Sequence, residues 1–65
     1  MSDEIGKAAG TIWKYLEKNG EVSTYKLIKE TKIKQRLADR AIGWLAREGK
    51  VKLSQESKRE IISLL

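Results

Sequence analysis

Arg36, Arg40 and Arg47 stand four and seven residues apart, with Gly43 between the second and the third. At about 100° per residue these four positions share one side of a helix, and Ala38, Ala41, Ile42 and Leu45 share the other. The outward stripe therefore reads arginine, arginine, no side chain, arginine. A guanidinium is a planar fork of donors that matches phosphate oxygens or the O6/N7 edge of guanine. Lys34 and Gln35 flank the first arginine, and a glutamine amide suits adenine. Gly43 costs a helix about 1 kcal/mol relative to alanine, so its outward place points to close approach by a nucleic acid, a hairpin or a second subunit. Asp39 stands beside the stripe and repels phosphate. It accepts from a cytosine amine or pairs with Arg36 or a lysine, the ion pair being the simpler role. Arg47 lies about 16 Å along the axis from Arg36, which leaves it a phosphate contact or a solvated side chain.

Other chemistries have few candidates in this chain of 65 residues. It has no cysteine and no histidine, which removes disulfides, thiol and imidazole catalysis and the usual zinc ligand sets. It offers no phosphate-binding glycine loop and no evident pair of acids in a cleft. The expectation is a binding protein, not an enzyme, with no cofactor and no metal. At 40% hydrophobic and 35% charged residues, the composition is that of a folded soluble domain. With no apolar run long enough for a bilayer and no signal-peptide pattern, a cytoplasmic location is expected, away from membranes.

The net charge of +5 is unevenly placed. Residues 1–22 carry three lysines against four acids, and residues 53–65 balance. Residues 23–52 carry nine Lys/Arg against three acids. The positive charge is thus concentrated around the arginine stripe, where a phosphate backbone is a fitting partner.

Local signals supply the elements that hold this stripe. A first helix is expected from about Asp3 to Lys18, with Ile5, Ala9, Ile12 and Leu16 as its core face. Asp3 and Glu4 at its start and Lys18 near its end suit the helix dipole, and Asn19-Gly20 stops it. Glu21-Val22-Ser23 is long enough only for a stub of strand. Ser23 is a good N-cap for a second helix, Thr24 to Glu30, with Leu27 and Ile28 facing inward. Thr31-Lys32-Ile33 reads as a tight turn with Ile33 as its buried anchor. The third helix, which bears the stripe, runs from about Lys34 to Glu48 and ends at Gly49. Beyond it the period becomes two: Val51 and Leu53 alternate with Lys50 and Lys52. Residues 54–58 read as a hairpin tip, and Arg59 to Leu65 as the returning strand.

Three helices, a strand stub before the second, and a two-stranded β-hairpin make a mainly α, α+β fold: the winged helix-turn-helix arrangement, one domain over residues 1–65. A chain this short buries only about 60% of its unfolded surface, so a thin core is expected. The third helix then fits a major groove, reading with Lys34, Gln35, Arg36 and Arg40. Lys26, Lys29 and Lys32 add charge from the second helix and the turn. The amide end of the second helix, at Ser23, Thr24 and Tyr25, is a phosphate site, and Lys58 and Arg59 at the hairpin tip reach an adjacent minor groove.

"GKAAGTIWKYL" in the first helix and "IGWLAREGKV" from Ile42 to Val51 resemble a family of small stand-alone winged helix-turn-helix proteins of bacteria and archaea, largely of unknown function. The resemblance covers nearly the whole chain and is most specific at Gly10, Ile12, Trp13 and residues 42–48. It implies a winged-helix fold, homodimers and a DNA-binding role. Two positions depart from the family pattern: Lys32 stands where a glycine is usual, and Lys34 where a Ser-like cap is usual. Lysine is a poor cap and a poor occupant of a left-handed turn position, but both changes add charge beside the stripe.

Gly6, Gly10 and Trp13 share one flank of the first helix. They leave room either for a neighbouring element of the same chain or for a second copy, and the resemblance favours the second copy. Leu37 and Trp44 form an apolar flank on the third helix that belongs to the same candidate dimer interface. Two functions therefore compete: a double-stranded DNA-binding module, as in a small transcriptional regulator, and a protein-interaction adaptor that binds no DNA. Non-specific coating of nucleic acid is a third.

Overall fold

The computed structural model describes residues 3–65; the first two residues of the expected 1–65 unit lie outside them. The elements are α1 (Asp3–Asn19), β1 (Val22–Ser23), α2 (Thr24–Thr31), α3 (Gln35–Arg47), β2 (Val51–Glu56) and β3 (Arg59–Leu64). This is the winged helix-turn-helix fold in the mainly helical α+β class expected from the sequence. The strands form one antiparallel sheet in the order β1-β3-β2. The stub is therefore more than a lead-in to α2: Val22 pairs with Ile62 and Ser23 with Ile61, which ties the start of α2 to the hairpin.

Helix ends follow local chemistry. Gly20, at φ +77, closes α1 by donating its N–H to the Leu16 carbonyl at 2.8 Å. The Ser23 hydroxyl caps α2 by accepting from the Lys26 N–H at 3.1 Å, which meets one of the amides a helix start leaves unpaired. The end of α3 is a Schellman motif: Gly49, at φ +73, donates to the Ala46 carbonyl, and Lys50 donates to the Leu45 carbonyl.

One hydrophobic cluster joins all three helices to the hairpin, and Ile12, Leu16, Leu27 and Ile62 are its largest fully buried side chains. Several sequence expectations shift by small amounts. Ile5 is only half-buried, and Ala8 takes its place beside Ala9. Ile28 and Ile33 are half-buried, not fully inward. α2 continues through Thr31, whose hydroxyl donates to the Leu27 carbonyl at 2.8 Å, so the turn before α3 is Lys32-Ile33-Lys34.

Lys34 is the residue preceding α3, without a side-chain cap, and Glu48 is the C-cap, not a helical residue. The hairpin is longer and its tip tighter than the polar run implied. Ser54, Gln55 and Glu56 remain paired in β2, and the tip is Ser57-Lys58, with Ser57 at φ 55. Val51 is buried, whereas Leu53 is 40% exposed although its cross-strand partner Ile62 is fully buried.

Candidate nucleic-acid interface

α3 is positioned by its apolar face. Ala38, Ala41, Ile42 and Leu45 are all buried, and burial of these four leaves Arg36, Arg40, Gly43 and Arg47 exposed on the opposite side. The outward stripe read from the wheel is therefore an uncovered surface of the folded chain. No described atom beyond its own helical turn lies within 4 Å of where a Cβ on Gly43 would stand. Nothing among the described residues requires a glycine there.

The two flanks of this stripe differ. On the turn side, one hollow is lined by Lys7, Lys32 and Lys34 over a floor of Ala8, Ile33 and Leu37. An adjoining hollow shares Lys34 and Leu37 and adds Arg36 and Arg40. Glu4 is the one acid on both. On the wing side, Gln35 and Asp39 of α3 line a groove with Thr24, Tyr25 and Lys29 of α2 and with Glu60 of β3. That groove continues into a hollow in which Ser23, Thr24 and Tyr25 meet Lys58 and Arg59 of the hairpin. Tyr25, at 75% exposure, lines both.

The sequence-expected contact residues thus divide into two groups. Lys32, Lys34, Arg36 and Arg40 are brought together on the turn side. Gln35, Lys29, Ser23, Thr24, Tyr25, Lys58 and Arg59 are brought together on the wing side, and Lys26 is exposed in the first turn of α2. The Ser23 hydroxyl already serves the Lys26 amide, so the start of α2 has one donor fewer to offer a phosphate than the sequence implied. Asp39 shares its groove with Lys29 and Glu60, whereas Arg36 lines a hollow on the other flank.

Two residues with a bearing on charge escaped the sequence reading, Lys7 and Glu60. From sequence Lys7 is one of three lysines in residues 1–22, and only the packing of α1 against α3 brings it to Lys32 and Lys34. Glu60 could have been noticed as an acid two positions from the hairpin tip, but its place opposite Asp39 depends on the packing of β3 beside α2.

Lys32 adopts φ 60, in the left-handed region, and its N–H donates to the Ile28 carbonyl at 3.0 Å. Lysine stands here where the family resemblance makes glycine the usual residue. Near the same turn, the Tyr15 hydroxyl of α1 donates to Glu30 Oε1 of α2 at 2.7 Å. The phenol is held above its ordinary pKa, first by that hydrogen bond, then by desolvation and by the Glu30 charge.

A second surface lies behind α3. Gly6, Gly10 and Trp13 of α1 face Trp44 and Leu45 of α3 across a groove rimmed by Lys14 and Lys50. Trp13 is 36% exposed and Trp44 half-buried. Neither Gly6 nor Gly10 has a described atom beyond its own helical turn within 4 Å of its would-be Cβ. Leu37, read with this set from sequence, lies apart from it in the turn-side hollows.

Residues 1–64 match the family described as "Winged helix-turn-helix domain (DUF2582)", and the chain belongs to that family. It is 36% identical over 67 residues to the uncharacterized protein MJ1608 of Methanocaldococcus jannaschii, across 98% of this chain and 94% of that protein. Its backbone is similar to the solution structure of protein BT2368 from Bacteroides thetaiotaomicron, with a TM-score of 0.84 at 27% identity over 95% of this chain and 76% of that one. It is also similar to the crystal structure of the Zalpha domain from Carassius auratus PKZ in complex with Z-DNA. There the TM-score is 0.82 at 23% identity, over 98% of this chain and all 100% of that one.

Proposed function

We propose that this member of the winged helix-turn-helix family is a duplex-DNA-binding module that presents the exposed side of α3 to the major groove, as a small cytoplasmic transcriptional regulator would. The observation that carries the reading is the uncovered stripe of Arg36, Arg40 and Arg47 around a glycine that no other part of the described chain requires. A helical glycine costs about 1 kcal/mol relative to alanine, and a ligand that approaches the backbone closely supplies a reason for it. The likeness in fold to a Zalpha domain solved with Z-DNA supports nucleic acid as the class of ligand.

The test is binding of the wild type and of Arg36→Ala/Arg40→Ala to a random-sequence duplex, by fluorescence anisotropy at several salt concentrations. The expected wild-type log-log slope is several units, about −0.9 per phosphate contacted, and the double variant loses both affinity and slope. If neither protein binds at low salt, the stripe is a solvated face and the interaction-adaptor reading replaces this one.

The groove behind α3 favours self-association as a companion to DNA binding. Gly6 and Gly10 weaken α1 with no packing reason inside the described chain, and they open directly beside Trp13 and Trp44. A two-fold pair using this face would present two copies of α3 for half-sites about 34 Å apart. Sedimentation equilibrium of the wild type against Gly10→Leu reads this: the wild type is expected to dimerise and the variant to remain monomeric.

A further inference from the structure

A duplex can lie against α3 toward the hairpin or toward the α2–α3 turn. We infer that the sugar–phosphate backbone is gripped from the turn side, along Lys7, Lys32, Lys34, Arg36 and Arg40, so that α1 contributes a contact and the wing contributes little. This rests on the nucleic-acid reading and names the side and the elements that carry it.

Charge is the first argument. The two turn-side hollows gather five cations against the single acid Glu4, over a floor of Ala8, Ile33 and Leu37. Charges of one sign above a low-dielectric floor focus the field outward, toward a polyanion. On the wing side two acids, Asp39 and Glu60, stand among three cations, Lys29, Lys58 and Arg59. Asp39 and Glu60 share a groove with Lys29, and Glu56 faces Arg59 in the register of the hairpin. A phosphate strand laid there meets carboxylates among its cations.

Backbone conformation is the second argument and is independent of the first. Lys32 occupies the left-handed region at φ 60, which costs an L-residue about 1 kcal/mol and costs glycine nothing. The hydrogen bond from this N–H to the Ile28 carbonyl needs no side chain. The backbone alone is better served by glycine, so what lysine adds at this corner is its ammonium. Strain held at a position where a charge projects into an open hollow is characteristic of a binding contact.

Lys7 is the contact that follows. It stands on the exposed side of α1 and lines the same hollow as Lys32 and Lys34. Three elements, α1, the turn and α3, then grip one strand of phosphates from a single flank.

The experiment compares salt dependence of binding to one random-sequence duplex for the full chain and three variants: Lys7→Ala, Lys32→Gly and Lys58→Ala/Arg59→Ala. Alanine is the best helix former and glycine suits the left-handed corner, so the first two fold, and circular dichroism melts confirm it. Lys7→Ala and Lys32→Gly are each expected to reduce the slope by about 0.9 and the affinity about eightfold at 0.1 M salt. Lys32→Gly is expected to do so while melting at or above the wild-type temperature. The hairpin double variant is expected to leave the slope unchanged. The inference is overturned if the hairpin variant loses the slope while the Lys7 and Lys32 variants keep it. Absence of any wild-type binding at low salt instead removes the nucleic-acid reading on which the inference stands.

Discussion

On the turn flank of α3, Lys7, Lys32, Lys34, Arg36 and Arg40 surround an apolar floor with one acid, Glu4; on the wing flank, Asp39 and Glu60 stand among Lys29, Lys58 and Arg59. Both flanks belong to the same thirteen-residue helix. What separates them is which neighbour lies alongside: the α2–α3 turn and the start of α1 on one side, α2 and the hairpin on the other. A net charge of +5 therefore says less about partners than the flank on which the charges gather. Field strength at a surface depends on local sign and local dielectric, not on the sum over the chain.

Four changes test this contrast, in descending order of effect. Leu27→Ala removes a fully buried side chain from α2 beneath both flanks. It is expected to cost about 2–5 kcal/mol, a large share of what so small a domain has, and to abolish the contrast by unfolding the scaffold. Thermal denaturation by circular dichroism reads it, and a loss under about 1 kcal/mol would mean that the core collapses around the gap.

Asp39→Asn/Glu60→Gln removes both carboxylates that line the wing flank. Affinity for random duplex is expected to rise up to about tenfold at 0.1 M salt, in line with the salt-linked worth of single charges. A fall in affinity for particular sequences would show the opposite, that these carboxylates accept hydrogen bonds from cytosine amines.

Gly43→Ala probes the stripe that separates the flanks. With open space around the glycine, the methyl group is expected to stabilise the fold by about 1 kcal/mol, which raises the melting temperature by about 4–8 °C in a domain of this size. Destabilisation would show that the would-be Cβ meets more than its surroundings indicate.

Tyr15→Phe loosens the tie between α1 and α2 that helps set Lys7 beside the turn. The folded-state phenol has a raised pKa, so its contribution is fully present below the unfolded tyrosine value of about 10. It is lost as pH rises through the higher folded value. Wild-type melting temperature is expected to fall slightly more steeply than that of the variant above about pH 10. Parallel curves would mean that the bond is broken in solution. The effect is the smallest of the four because both side chains reach solvent.

The ends of the helices were legible because capping is local. Ser23 beside a run of helix formers and Gly20 and Gly49 after their periodic segments all act within four or five residues. The expected outward stripe was legible for the same reason: once the apolar positions of α3 turn inward, Arg36, Arg40 and Gly43 have nowhere else to go. The turn chemistry was half legible. Lys32 stood out as a residue in a place that suits glycine, but the extension of α2 through Thr31 and the bare start of α3 after Lys34 shifted the boundaries. Alternation put Val51 and Leu53 on one face of a strand, but it carries no measure of how deeply each is covered, and only Val51 is buried.

By itself the amino-acid sequence determined the order of elements, their caps and the composition of each face, since these depend on periodicity and on bonds between near neighbours. The tertiary structure alone decided which faces meet. The crossing of α1 over α3 brings Lys7 to the turn, places Gly6, Gly10 and Trp13 opposite Trp44, and leaves Leu37 apart from them. The pairing of Val22 with Ile62 draws the hairpin against α2 and sets Glu60 across from Asp39. Such juxtapositions are fixed by packing between segments tens of residues apart, and a helical or strand period carries no record of its partner.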